Sequence, residues 1–170
     1  MTKDWLEQHQ RWLEWLEKTQ PKAEIPAQIR DPRGVPFDLH LPAEIIDLID
    51  FCTSQGLTCV RLLGPDPIAF GDLVLAYAGS GICVEIMKDR SIWLLSIGEV
   101  SQAGHVWPDV PLMMTLLTGS TCDLVPLREE ISFVKSHWAE IVDYFSADQR
   151  AATRARLDVL TRERAKRLFC

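Results

Sequence analysis

The sequence predicts an α+β domain, an antiparallel meander of about four strands packed with N-terminal and C-terminal helices. Three observations predict it. Short β-rich runs between residues 57 and 97 are joined by links that carry Gly or Asp, the pattern of consecutive hairpins. Apolar residues recur at helical spacing both before and after that region. No internal repeat or segment break divides the 170 residues, and that length suits one domain, 1–170.

The first element is a helix over 2–19. Thr2 can cap it, Asp4 favours its amino end, and Trp5, Leu6, His9, Trp12, Leu13 and Leu16 share one face, with Trp15 off it. From 20 to 41 the chain carries Pro21, Pro26, Pro32 and Pro36, and Asp31-Pro32-Arg33-Gly34 has turn chemistry, so an irregular meander is expected. Pro42 suits the first position of a second helix, 42–54. Its buried side would be Ile45, Ile46, Leu48, Ile49 and Cys52, and Gly56 would end it.

Strand signals follow. The run 57–63 closes at Gly64-Pro65-Asp66-Pro67, and the runs 70–78 and 82–88 flank Gly79-Ser80-Gly81, a hairpin link. Asp89-Arg90-Ser91 turns the chain into 91–97. After Gly98 a loop through Trp107 and Pro108 leads to a short helix at about 110–118, ended by Gly119. One long helix is expected at about 127–145, with Ile131, Val134, Trp138, Ile141, Val142 and Phe145 as its stripe. Ser146 would cap a final helix, 147–168. The domain thus divides into 1–41, a sheet core at 42–119 and C-terminal helices at 120–170.

The formal net charge of −6 is unevenly spread. Residues 148–170 hold seven basic and three acidic side chains, a net +4, whereas residues 1–147 hold 11 basic and 21 acidic, a net −10. A basic final helix folded onto an acidic body explains this. A basic tail reaching a separate anionic partner is the alternative. Leu157, Leu160 and Leu168 lie near one helical face and favour docking. The acidic balance argues against nucleic acid as a partner.

Cys52, Cys59, Cys83, Cys122 and Cys170 form no CxxC or CxxH unit, so neither a disulfide framework nor a zinc site is expected. Cys52, Cys59 and Cys83 read as small buried hydrophobes. The polar amino terminus shows no secretory signal, and no apolar run reaches the ~18 residues of a membrane span. A cytoplasmic protein, off the membrane and without a cofactor, is the expectation.

A search for catalytic chemistry finds little. Gly79-Ser80-Gly81 joins two strands and lacks phosphate-loop spacing. His9, His40, His105 and His137 are far apart and form no HxH or HxxxH. Cys83 with His105 or His137 would be a nucleophilic pair in space, yet an apolar strand site hides a thiol and raises its pKa. Glu129 and Glu130 open a helix, where they complement the dipole and diverge by about 100°. The distinctive unit is Lys88-Asp89-Arg90-Ser91-Ile92-Trp93. It reads first as a hairpin turn with Trp93 on the sheet, and second as a recognition surface using Arg90 and Trp93.

Taken in order, Phe70-Gly71-Asp72, the run 73–78, Asp89-Arg90 and Trp93 form an F-G-D … D-R-x-x-W arrangement. It resembles that of small bacterial immunity proteins of polymorphic and contact-dependent toxin systems. The resemblance covers Gly56 to Gly119 best and departs from the D-R-G-Q-W turn by having Ser91 and Ile92. It implies a cytoplasmic, non-catalytic protein that binds a cognate toxin or effector and blocks its active site or substrate entry. The acidic body suits a basic partner such as a nuclease toxin. Exposed acids and a loop aromatic are the expected partner contacts: Asp66, Asp72, Glu99, Trp107 and Asp109. The alternative is an effector-specific secretion chaperone or adaptor, which would bind an extended segment. Either a monomer or a homodimer fits.

Overall fold

The computed structural model describes residues 40–66, 72–90, 92–100 and 108–169. The helix expected over 2–19 and the Pro-rich stretch as far as residue 39 lie outside the described residues. Among the described residues nine elements follow one another: α1 (Ala43–Ser54), β1 (Thr58–Asp66), β2 (Asp72–Gly79), β3 (Ile82–Asp89), β4 (Ile92–Glu99), α2 (Val110–Thr118), α3 (Leu127–Ser136), α4 (Trp138–Tyr144) and α5 (Arg150–Phe169). The fold is α+β. Its four strands form one antiparallel sheet in the order β1-β2-β3-β4, a meander with helices before and after it.

Register explains which side chains are covered. Strand residues alternate between faces, so residues paired across strands share a face. One face carries the rows Cys59–Tyr77–Val84–Ile97 and Leu62–Leu75–Ile86–Leu95. Tyr77, Leu75, Val84, Ile86, Leu95 and Ile97 are buried there, packed with Ile45, Leu48 and Ile49 of α1, Val110, Met113 and Leu116 of α2, and Ile131 and Val134 of α3. Each such side chain contributes about 1.5–3 kcal/mol by leaving water. The other face carries Arg61–Ala76–Glu85–Ser96 and the pairing of Val74 with Met87 and of Met87 with Leu94. The alternation is imperfect because Val74, Ala76 and Cys83 on this second face are buried too.

Local chemistry places the boundaries. Pro42 precedes α1 as its N-cap, and its carbonyl accepts from Ile45 and Ile46. At the other end Gly56 takes φ +79, Gly56 N–H bonds Thr53, and Leu57 N–H bonds Cys52 at 3.0 Å. That is the Schellman termination, which a left-handed glycine permits. In the β2–β3 hairpin Ser80 and Gly81 have φ 51 and 85, the mirror-image turn whose twist matches the strands it joins.

The expected single helix over 127–145 is instead two, with His137 between them at φ −108, ψ 17. Ser136 Oγ donates to the carbonyls of Ser132 and Phe133, and His137 Nδ1 lies 3.0 Å from Glu140. Side-chain bonds of this kind compete with the helical ladder and bend it. Ile141 and Phe145 are still buried, so the expected stripe survives the bend with Trp138 and Val142 half-buried. The final helix begins at Arg150, after a turn in which Ser146 accepts from Gln149 and Arg150 through its backbone carbonyl.

Candidate interaction surface

The C-terminal helix lies against the body of the domain and packs on α2. Its inward stripe contains Thr153, Leu157, Leu160 and Arg164, at helical spacings of four, three and four. Thr153 and Leu157 are buried, and Thr153 Oγ1 donates to Tyr144 at 2.7 Å. Leu160 is half-buried, while Leu168 is exposed. The helix is otherwise held by charge.

At its amino end, Arg150 Nε lies 3.3 Å from Glu99 and Arg154 pairs with the other Glu99 oxygen. The Glu99 side chain is only 13% exposed, so these arginines answer a largely dehydrated carboxylate. Near its carboxyl end, Arg164 Nη1 lies 2.7 and 2.6 Å from the two oxygens of Asp109. The same guanidinium donates to the Asp123 carbonyl at 3.2 Å, and Arg167 reaches the Asp123 carboxylate at 2.9 Å. Asp109 also caps α2, accepting the Leu112 N–H at 3.0 Å. Its position at the helix amino end adds favourable dipole interaction.

Glu130 lies close to this cluster. Although it neighbours Glu129 at the start of α3, Glu129 is exposed and Glu130 is 8% exposed. Its Oε2 has no hydrogen-bond partner among the described residues. Burial first, then the Asp109 charge, push its carboxyl up to about 7 against the opposing pull of Arg164. Both acids stand in the first turn of α3, where they complement its dipole as expected, but Glu130 is buried and Glu129 is not.

The residues expected to face a partner fall in different settings. Glu99 and Asp109 are both engaged by α5. Asp66 and Asp72 stand opposite one another in register where the β1–β2 ladder ends. Trp107 lies outside the described residues, as does His105. Sequence reasoning missed Asp123, Glu130 and Arg164, although the spacing 153, 157, 160, 164 marks one helical face on which Arg164 follows three less polar residues.

On the β3–β4 hairpin, Arg90 takes φ 59, and Asp89 and Arg90 are exposed. Trp93 is half-buried against the core, with Lys88, its cross-strand partner, 5.9 Å over its ring. This matches the hairpin reading of the motif, with Trp93 packing on the sheet. Ile92 and Leu94 are nevertheless exposed on β4, at 65% and 39%.

Burial pushes the Cys83 thiol up to about 12, with Glu85 adding to the effect and Arg61 opposing it. Cys52 is held at about 12 as well, again chiefly by burial. Such thiols stay protonated at neutral pH and are poor nucleophiles. Glu85 is also raised by burial, against the pull of Arg61. Among the described residues no group of three or more His, Cys, Asp or Glu could hold a metal ion, and no helix is long and apolar enough to cross a membrane. No family model matches the chain, and no curated protein or solved structure is significantly similar to it.

Proposed function

We propose that this chain is an immunity protein: it binds a cognate, basic bacterial toxin or effector in the cytoplasm and neutralises it by contact, without catalysis. The observation that carries this reading is the ordered set Asp72, Asp89-Arg90 and Trp93. It runs along three consecutive strands, β2 to β4, and turns at the exposed β3–β4 hairpin. The net −10 of residues 1–147 supports a basic partner, because complementary fields speed encounter and reject like-charged competitors. Co-expression with a toxin gene found next to its own tests the proposal. Growth rescue together with a stable co-purified complex is expected, and failure of both sinks it.

One observation favours the second reading, a secretion chaperone or adaptor. The outermost strands β1 and β4 expose the apolar side chains Val60, Ile92 and Leu94, although β4 is already bonded to Pro108 at Ile97, and an apolar outer strand suits an added extended segment. Mapping the smallest bound fragment separates the two. A folded toxin domain is the immunity outcome, and a short unfolded segment is the chaperone outcome.

A further inference from the structure

The surface that α5 covers is acidic: three of its carboxylates come from separate places in the chain, and a fourth lies near Asp109 and Arg164. Glu99 ends β4, Asp109 caps α2, Asp123 lies in the loop after α2, and Glu130 sits in the first turn of α3. The first three carboxylates each meet arginine. Glu130, more than nine-tenths buried, keeps an oxygen with no hydrogen-bond partner among the described residues. One oxygen at this surface is thus left without a hydrogen-bond partner among the described residues.

Its present occupant is held by a short inward stripe, Thr153, Leu157 and half-buried Leu160, and by arginine pairs, of which Arg164 on Asp109 is the least exposed, at 21%. Of the 20 residues in α5, only Thr153 and Leu157 are buried. The Arg150 and Arg154 side chains remain 46% and 57% exposed while pairing with Glu99. Ion pairs that reach solvent are weak and screened by salt, so the Arg150–Arg154 end of α5 opens at smaller cost than the end held by Arg164.

We propose that α5 is a displaceable latch, and that the acidic surface it leaves takes an arginine-bearing helix of the partner protein. This deepens the binding reading above and rests on it. Charge complementarity commits the occupant: segment 148–170 carries +4 in a chain whose remaining residues carry −10. That surface also has a spacing preference. Arg150 and Arg154 are one turn apart, Arg164 and Arg167 are one turn apart, and ten residues of helix, about 15 Å, separate Arg154 from Arg164. A partner helix with two arginine pairs at that separation would reproduce the contacts of α5. Acidic peptides and nucleic acids would be repelled by the same carboxylates.

The test uses the full chain and a labelled synthetic peptide of residues 148–169, with a control peptide in which its arginines are glutamine. Hydrogen exchange reports the latch and fluorescence anisotropy reports the acidic surface. A full chain carrying Arg150→Ala and Arg154→Ala should exchange its 150–169 amides about tenfold faster, as expected for losing two partly exposed ion pairs. It should also bind the arginine peptide about tenfold more tightly than the unaltered chain does, while the glutamine peptide does not bind. Slow exchange across α3 in both chains shows that the body stays folded. Glu99→Gln in the full chain should likewise speed exchange, and here the peptide should bind more weakly than to the arginine-loosened chain. The proposal is overturned if amides 150–169 exchange as slowly as those of β3 in every variant and at high salt. It is equally overturned if the loosened chain does not capture the arginine peptide. Peptide capture without rescue from the co-expressed toxin overturns the immunity reading and leaves the latch standing. Rescue with unaltered α5 exchange overturns the latch alone.

Discussion

Arg164 grips both carboxylate oxygens of Asp109, 55 residues earlier in the chain, while Asp109 simultaneously caps α2 through the Leu112 N–H. One side chain thus terminates a helix of the core and fastens the last helix to it. The two duties are separable by substitution. Asp109→Ser retains a capping oxygen and loses the ion pair, whereas Asp109→Ala loses both. Expected losses are about 1 kcal/mol for serine and about 2 kcal/mol for alanine, since a cap is worth about 1 kcal/mol and a partly exposed pair about the same or less. Urea denaturation measures both. Equal losses for the two variants would show that the cap contributes nothing.

The Glu130 carboxyl makes stability depend on pH in a defined direction. Its folded-state pKa is raised from 4.5 to about 7 by burial and by Asp109. The folded state therefore binds the proton more tightly than the unfolded state, and the associated stability is full below pH 4.5. It is lost as pH rises through 7, by an amount on the order of 2–3 kcal/mol. Glu130→Gln removes the ionisation, so the variant should gain on the unaltered chain between pH 5 and pH 8. Urea midpoints at those two pH values decide it. A difference between the two proteins that does not change with pH would refute the assignment.

How far these relationships could be read in the sequence depends on their range. The β2–β3 hairpin was legible because Gly79-Ser80-Gly81 carries its own turn chemistry, and the stop of α2 was legible in Gly119, which takes φ 71. Uneven charge leaves a docked helix and a free basic tail both open, and the leucine spacing favours docking. Helix α5 does dock through Leu157 and Leu160, though not Leu168, and pairs with Glu99, Asp109 and Asp123. Glu130 was not legible. Two adjacent carboxylates at a helix start look equivalent in sequence, and only the packing of α3 near Asp109 and Arg164 makes one of them buried. The bend at His137 was hidden for a similar reason: the apolar stripe continues across it while Ser136 and His137 divert the local bonding. Glu99 and Asp109 read as exposed acids because their arginine partners lie some 50 residues downstream.

Two neighbouring positions of the β2–β3 hairpin should respond in opposite directions. Ser80 sits at φ 51, where an L side chain is strained and asparagine or glycine is favoured. Ser80→Asn should therefore raise stability by about 0.5–1 kcal/mol. Gly79 is constrained by space: an added Cβ would lie 3.0 Å from the Gly56 carbonyl oxygen and 3.1 Å from Leu57 Cδ2. Gly79→Ala should cost about 1–3 kcal/mol because a backbone atom must move. Thermal denaturation of both variants checks the signs. Stabilisation by Gly79→Ala would contradict the close approach of β2 to the end of α1.

Cysteine reactivity should divide along burial. Cys52 is fully buried, Cys83 is 2% exposed, and burial holds both thiols at about 12. At pH 8 almost no thiolate exists at either site, and iodoacetamide has no access to the sulfur. Cys122, by contrast, is half-buried in the loop after α2, where its Sγ lies 3.5 Å from the Ser120 carbonyl. Mass spectrometry of the native protein should therefore find alkylation at Cys122 within minutes and none at Cys52 or Cys83 until denaturant is added. Because Cys83 lies on the second sheet face, beside the row that carries Glu85 and Arg61, the measurement also tests the cover on that face. Rapid native labelling of Cys83 would mean that this face opens to solvent, and would revive Cys83 as a candidate nucleophile.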